Sequence, residues 1–250
     1  MKLKKVILGS AVIAAAFLAQ SIYAVGLPDH SELRKVLKDV VKEENGGFGL
    51  NMWATIVDRD GVVKVVVFSG NDRADQWPGS RAISAQKANT ANAFSLPGLA
   101  LSTANLFSAV QPGGSLYGLQ HSNPVNTEVA YGGSSKNIGK KHDPMVGGKI
   151  GGVNVFGGGL SLYSEDGNLV GAIGVSGDSS CADHNIAWKV RHALKLDHVP
   201  SGVSASKDDN IVNDVIDGSS AGGWGHPACS DKATEIAEAF PSTHAVQVKK

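Results

Sequence analysis

The sequence predicts an α+β fold, a central antiparallel sheet flanked by helices, and three observations carry that prediction. Two strand–turn–strand units of similar spacing surround Asp58-Arg59-Asp60-Gly61 and Asp166-Gly167. Asp can bond to nearby backbone and Gly tolerates positive φ, so both segments suit tight turns between strands. An amphipathic stretch follows Pro28, and an alanine-rich run covers residues 80–94. Each of these two has helical rather than alternating periodicity.

In chain order, Pro28-Asp29-His30-Ser31-Glu32 reads as a helix start, with Asp29 as cap and Glu32 three residues on as in a capping box. Leu33, Val36, Leu37, Val40 and Val41 recur at i, i+3, i+4, i+7 and i+8, which gives one apolar face up to about residue 43. Asn45-Gly46-Gly47 ends that helix. Residues 53–57 and 62–68 form the first hairpin. In the next helix, at 80–94, Ala82, Ala85, Ala88 and Ala91 allow a close approach to the sheet. Residues 101–110 read as a short helix, and from 111 to 152 the pattern dissolves into Gly, Ser, Asn, Pro and Lys, a long loop of the kind that is usually functional or mobile. Residues 160–163 and 169–175 form the second hairpin. Its last strand is nearly all apolar or glycine, as expected where both faces are covered and another backbone or a flat ligand comes close. Helices are predicted at 182–194 and 233–239, separated by a polar loop at 201–225.

The first 24 residues have the layout of a secretory signal peptide: Lys2, Lys4 and Lys5, an apolar run from Val6 to Ala19, and Ser21-Ile22-Tyr23-Ala24 at the cut. The run is shorter than the roughly 18 apolar residues expected of a membrane span. The mature protein is therefore expected in the periplasm or outside the cell, with no membrane association once the peptide is removed. Lys and Arg balance Asp and Glu at 23 each, so no electrostatic grip on nucleic acid is expected. Cys181 and Cys229 are the only cysteines, and in an oxidising compartment they are expected to pair. Two cysteines alone, without a CxxC pair, do not make a structural zinc site.

Several catalytic signatures fail on spacing. Gly174-Val175-Ser176-Gly177-Asp178 ends in Asp where a nucleophile elbow needs Gly, and Gly171, Gly174 and Gly177 do not follow GxGxxG. Gly139-Lys140-Lys141 lacks the flanking residues of a P-loop, and no HExxH occurs. What remains is the 181–192 segment. At about 100° per residue, Ile186, Val190, Ala193 and Leu194 form a buried stripe, whereas His184, Trp188 and His192 share another face. Kept off the core, that face would grip a planar ligand, with His184 as iron or metal ligand, or it would meet a partner subunit. The plainer reading is a local bond between His184 and Asp183, with Trp188 and His192 in an interface. His226 joins this neighbourhood if the disulfide forms; otherwise it is an exposed loop histidine, as His121 and His142 are. Lys87 is a further candidate cofactor contact, beside the reading in which it, Arg73 and Arg81 are solvated or ion-paired.

Three blocks together, Trp53-Ala54-Thr55-Ile56-Val57-Asp58-Arg59-Asp60-Gly61, Gln86-Lys87-Ala88-Asn89-Thr90-Ala91, and Gly157-Gly158-Gly159 through Asp166-Gly167 to Gly171-Ala172-Ile173-Gly174-Val175-Ser176-Gly177, resemble the GlcG/HbpS family of haem-binding or haem-degrading proteins. The resemblance implies a profilin-like fold and homo-oligomeric assembly. It also implies binding of haem or a related tetrapyrrole, with peroxide-linked haem degradation in some members and variable, sometimes surface-exposed ligation. Against that pattern residues 25–250 read as one domain, with an insertion at about 111–147 and a C-terminal extension at about 197–250. The first functional expectation is a periplasmic protein that stores, carries, senses or slowly degrades haem. Its competitors are an enzyme or accessory subunit acting on a small organic metabolite without haem, and an oligomeric interaction module.

Overall fold

The computed structural model describes residues 26–247. The predicted signal peptide, residues 1–24, lies outside the described residues. The first helix, α1 (His30–Val41), starts where Asp29 accepts the amides of Ser31 (2.8 Å) and Glu32 (2.9 Å). Those two bonds satisfy donors that a helix start leaves without partners. Strands β1 (Trp53–Asp58) and β2 (Val63–Phe68) form the first hairpin, and helix α2 (Ser80–Phe94) follows. After two short helices, α3 (Leu119–Ser122) and α4 (Thr127–Tyr131), come strands β3 (Gly159–Tyr163) and β4 (Leu169–Ser176) and helix α5 (Ser180–Ala193). A two-strand ribbon, β5 (Val215–Ile216) and β6 (Ser219–Ser220), precedes α6 (Asp231–Thr243).

The two hairpins join through β1 and β4, giving an antiparallel four-stranded sheet of order β2-β1-β4-β3. This is the expected α+β architecture, because helices cover both faces. Alternation along β1 divides the core: Ala54 and Ile56 face α1, α5 and α6, whereas Trp53 and Val57 face α2. The seam under α2 is built from small groups. Thr55 Oγ1 lies 2.8 Å from Ser84 Oγ, and Ala85, Ala88 and Ala91 are fully buried. At Gly174 a Cβ would lie 2.5 Å from the Ala88 nitrogen, and at its cross-strand partner Gly159 a Cβ would lie 2.5 Å from the Lys87 carbonyl oxygen. The glycines of the second hairpin thus make room for the backbone of α2.

Three expectations need correction. Residues 101–110 form two separate 3₁₀ turns, Ala104–Leu106 and Ser108–Val110. Within the stretch read as a structureless loop, α4 is tied down by Arg81, whose guanidinium pairs with Asp143 and donates to the Ala130 carbonyl at 2.8 Å, and a third 3₁₀ turn, Ser135–Asn137, by Arg73, which donates to the Ser135 carbonyl. A buried ion pair reached over so long a sequence distance leaves no local periodic signal. The polar loop at 201–225 contains the β5–β6 ribbon, turned at Asp217 and Gly218, both with positive φ.

Candidate functional site

Helix α5 starts at Ser179, whose side chain accepts the Ala182 amide, and it runs beneath the sheet into the core shared with α1 and α6. Its predicted ligand face is not free. His184 is 0% exposed, and Trp188 is 2% exposed within the main core. The reason is α6 and the segment before it, which cover the side of α5 that local periodicity left open. The Trp188 indole stacks on Phe240 at 5.2 Å, carries the Arg191 guanidinium 4.7 Å over its ring, and donates to the His244 carbonyl at 3.0 Å. Nε2 of His184 lies 3.1 Å from the Ile211 amide and 3.3 Å from Asn210 Oδ1, and its Nδ1 has no partner among the described residues. Burial, with nearby Arg191 adding to it, pushes this imidazole down to about 3, so it is neutral. The expectation that His184 and Trp188 form a ligand-gripping face is therefore overturned, as is the plainer bond from His184 to Asp183.

Asp183 belongs instead to Lys87. The Lys87 ammonium, 1% exposed, lies 2.7 Å from Asp183 Oδ2 and donates to the Val175 carbonyl at 3.2 Å. Asp183 Oδ1 accepts the amides of Gly177 (3.1 Å) and Asp178 (2.9 Å). Burial raises the Asp183 carboxyl and Lys87 opposes that rise. Lys87 as an open cofactor contact is corrected to a sealed pair that joins α2 to the β4–α5 corner. Arg191 is sealed likewise, with both terminal guanidinium nitrogens 2.7 Å from Asp209.

His226 is not an exposed loop histidine: it is 2% exposed, packs on Phe107 at 5.0 Å, and burial pushes it down to about 4. It stands beside the Cys181–Cys229 disulfide, which forms as expected with a Cα separation of 5.9 Å. Only His192 of the predicted helix face remains reachable, with a side chain 33% exposed. Its Nδ1 is 2.7 Å from Asp197, and its ring meets His244 edge-on at 5.2 Å. An open cleft beside it, about 560 Å³, is lined by Glu165, Lys195, Asp197 and His198. His121 and His142 are exposed and join no cluster of three metal-ligating side chains among the described residues.

A second cleft, about 290 Å³, lies where the insertion folds against the start of α2. Its walls are apolar: Trp53, Pro78, Ala82, Ala130 and Ile138. Arg73 and Tyr131 stand at its rim, both exposed, and Trp77 is 54% exposed next to Pro78. The Trp53 indole donates to the Trp77 carbonyl at 3.1 Å, which fixes the ring at the cleft floor. Arg81 also borders the cleft, but Asp143 and Ala130 occupy its donors, whereas among the described residues Arg73 donates only to the Ser135 carbonyl. An aromatic floor, apolar sides and one available guanidinium suit a flat, largely apolar molecule that bears a carboxylate. The sequence signals for this cleft were the length of the 111–147 insertion and the aromatic residues around it; nothing local paired Tyr131 with Trp53.

Among the described residues no helix is long and apolar enough to cross a membrane. No curated protein matches the chain. The solved structures that resemble it include the following three. A PduOC:heme complex is 27% identical, over 68% of this chain and 95% of that one, with a TM-score of 0.45. The Klebsiella pneumoniae protein ORFY is 24% identical, over 64% and 83%, with a TM-score of 0.43. HbpS is 16% identical, over 66% and 85%, with a TM-score of 0.40. The family described as haem degrading protein HbpS-like matches residues 29–191, more than half of the chain, with both hairpins, α2 and most of α5 inside the match. This chain therefore belongs to the HbpS-like family of haem degrading proteins.

Proposed function

We propose that the protein is an exported haem-binding protein and that the Trp53–Tyr131 cleft takes an edge of the porphyrin. The observation that carries the reading is the family match over residues 29–191, which contains every lining residue of that cleft. The donor set fits. Trp53, Pro78, Ala82 and Ile138 supply surface for the macrocycle, Arg73 a partner for a carboxylate, and Tyr131 a phenolate-type iron ligand of the kind some haem proteins use. A volume near 290 Å³ is at the low end for a cofactor pocket, so part of the ring stays at the surface. When bound, haem supplies iron redox chemistry toward peroxide. The chain's own residues would hold the ring edge on Trp53 and neutralise one carboxylate with Arg73. Storage, transport or slow degradation all begin with that binding step, and self-association into a homo-oligomer belongs to the same proposal. Export is supported by the composition of residues 1–24 and by the disulfide.

A second reading places the iron on His192. Asp197, 2.7 Å from Nδ1, would hold that nitrogen's proton and turn the Nε2 lone pair outward, the usual orientation of a metal-binding imidazole. Its cleft is lined by Glu165, Lys195, Asp197, His198 and Gln247, with Ala193 as its one apolar side chain, so it suits the iron better than the macrocycle.

Titration of the mature protein with hemin, followed at the Soret band, tests both readings. Saturable binding of one equivalent is expected, weakened roughly tenfold or more in Tyr131→Ala or Arg73→Ala and unchanged in His192→Ala; about tenfold is the scale of one lost interaction of 1.4 kcal/mol. Loss confined to His192→Ala moves the site to the second cleft. Absence of any Soret shift, with a non-tetrapyrrole molecule found by native mass spectrometry, returns the protein to a metabolite-binding role.

A further inference from the structure

We propose that the reduced form of this protein holds a zinc ion on Cys181, Cys229 and His226, so that the disulfide and a metal are alternative occupants of one site. Neither His226 nor Cys229 lies within the family match, and this site is separate from both clefts. The ligand atoms of the three residues all lie within 4.8 Å of one another. In tetrahedral coordination with Zn–S near 2.3 Å, two sulfurs on one ion are about 3.8 Å apart, so modest parting of the sulfurs suffices.

The histidine is the independent pointer. His226 Nδ1 lies 2.7 Å from the Pro227 carbonyl, which can only accept, so Nδ1 carries the proton and Nε2 carries the lone pair. Nε2 is buried and has no hydrogen-bond partner among the described residues, an arrangement that costs free energy unless something fills it. The backbone around it is fixed: the His226 amide donates to the Val212 carbonyl at 2.8 Å, and Ser108 Oγ donates to the Gly225 carbonyl at 2.6 Å. On the sulfur side, the Cys181 amide points at Cys229 Sγ at 3.2 Å, and Ser180 Oγ is 3.5 Å away. These donors in the first turn of α5 favour thiolates. Cys229 is exposed, giving a reductant and a metal ion access and leaving a fourth position for water.

The chemistry balances with one co-reactant, a dithiol. Thiol–disulfide exchange breaks the Cys181–Cys229 bond and oxidises the dithiol to its own disulfide. Two electrons and two protons pass to the protein, leaving two thiols. Zinc binding then releases both thiol protons to solvent and forms two Zn–S bonds and one Zn–N bond. Two thiolates and an imidazole suit zinc, a borderline-soft ion, better than magnesium or calcium.

The test uses the whole mature chain, oxidised or reduced anaerobically with a phosphine, in equilibrium dialysis against Zn²⁺ and in titration with Co²⁺. The reduced protein is expected to take one equivalent of either ion, with thiolate-to-cobalt absorption in the near ultraviolet and tetrahedral bands in the visible. The oxidised protein and the Cys181→Ser/Cys229→Ser variant are expected to take none. His226→Ala is expected to weaken binding roughly tenfold or more, the scale seen even for residues that merely support a ligand. His226→Asn serves if the alanine variant fails to fold. No stoichiometric uptake by the reduced chain overturns the proposal, as does equal uptake by the histidine variants. Loss of native circular dichroism on reduction without recovery on adding zinc overturns it too.

Discussion

The two ends of α5 carry a histidine each, two turns apart, and the protein treats them in opposite ways. At the start of the helix His184 is sealed among Asn210, Ile211 and Trp188, and Lys87 closes the corner by pairing with Asp183. At its end His192 is partly exposed, carboxylate-bonded and beside an open cleft. The residue type and the helix are the same; the difference is what packs on top. Imidazole spacing along a helix therefore says little about ligand binding until the covering elements are known.

The largest effect that would break this contrast is expected at the sealed end. Lys87→Met leaves the Asp183 carboxylate buried without its cation, and the loss should be about 3–5 kcal/mol in urea unfolding. The double variant Lys87→Met/Asp183→Asn, whose amide oxygen still accepts from Gly177 and Asp178, is expected to recover part of it; no recovery would mean that packing, not charge, seals the corner. Next, His184→Ala should cost about 2–4 kcal/mol, through the cavity and the amide of Ile211 left with one acceptor fewer, while hemin binding per folded molecule stays unchanged.

Acidification to pH 4.5 should produce a loss of comparable size. His184 has its folded value near 3 against an ordinary 6.5, so between these values the unfolded chain binds the proton and the native protein does not. Stability is fully present above pH 6.5 and falls as the pH is lowered toward 3, by up to about 1.4 kcal/mol per unit from this residue. In His184→Gln that slope should flatten by the same amount, as measured by urea midpoints from pH 7 to 4.5. The smallest effect belongs to the open end: His192→Ala should change stability by about 1–2 kcal/mol, because the imidazole is partly solvated although its partner Asp197 is buried. A larger loss would show that this end, too, is structural.

The sheet was legible because a hairpin is a local object. Asp58-Arg59-Asp60-Gly61 and Asp166-Gly167 fix where the strands turn, and alternation fixes which side chains go inward. Helix α1 was legible for the same reason, from Asp29 and the spacing of Leu33, Leu37 and Val40. The candidate cleft was not. Trp53 and Tyr131 lie far apart in sequence and meet only because Arg81 holds the insertion through Asp143 and Ala130. The α5 face was misjudged because its cover, Phe240 on α6 and Asn210 before it, comes from the chain beyond the helix itself.

By itself the sequence determined the antiparallel sheet, the family blocks, the pairing of the two cysteines and the small-residue contact of α2. Each depends on turns, local periodicity or composition. Only the tertiary structure decided that His184, Trp188 and Lys87 belong to the interior, that His226 stands buried beside the disulfide, and that an aromatic cleft opens under the insertion. Burial depends on contacts between residues distant in the chain, and no local pattern specifies which distant side chain will take a place against another.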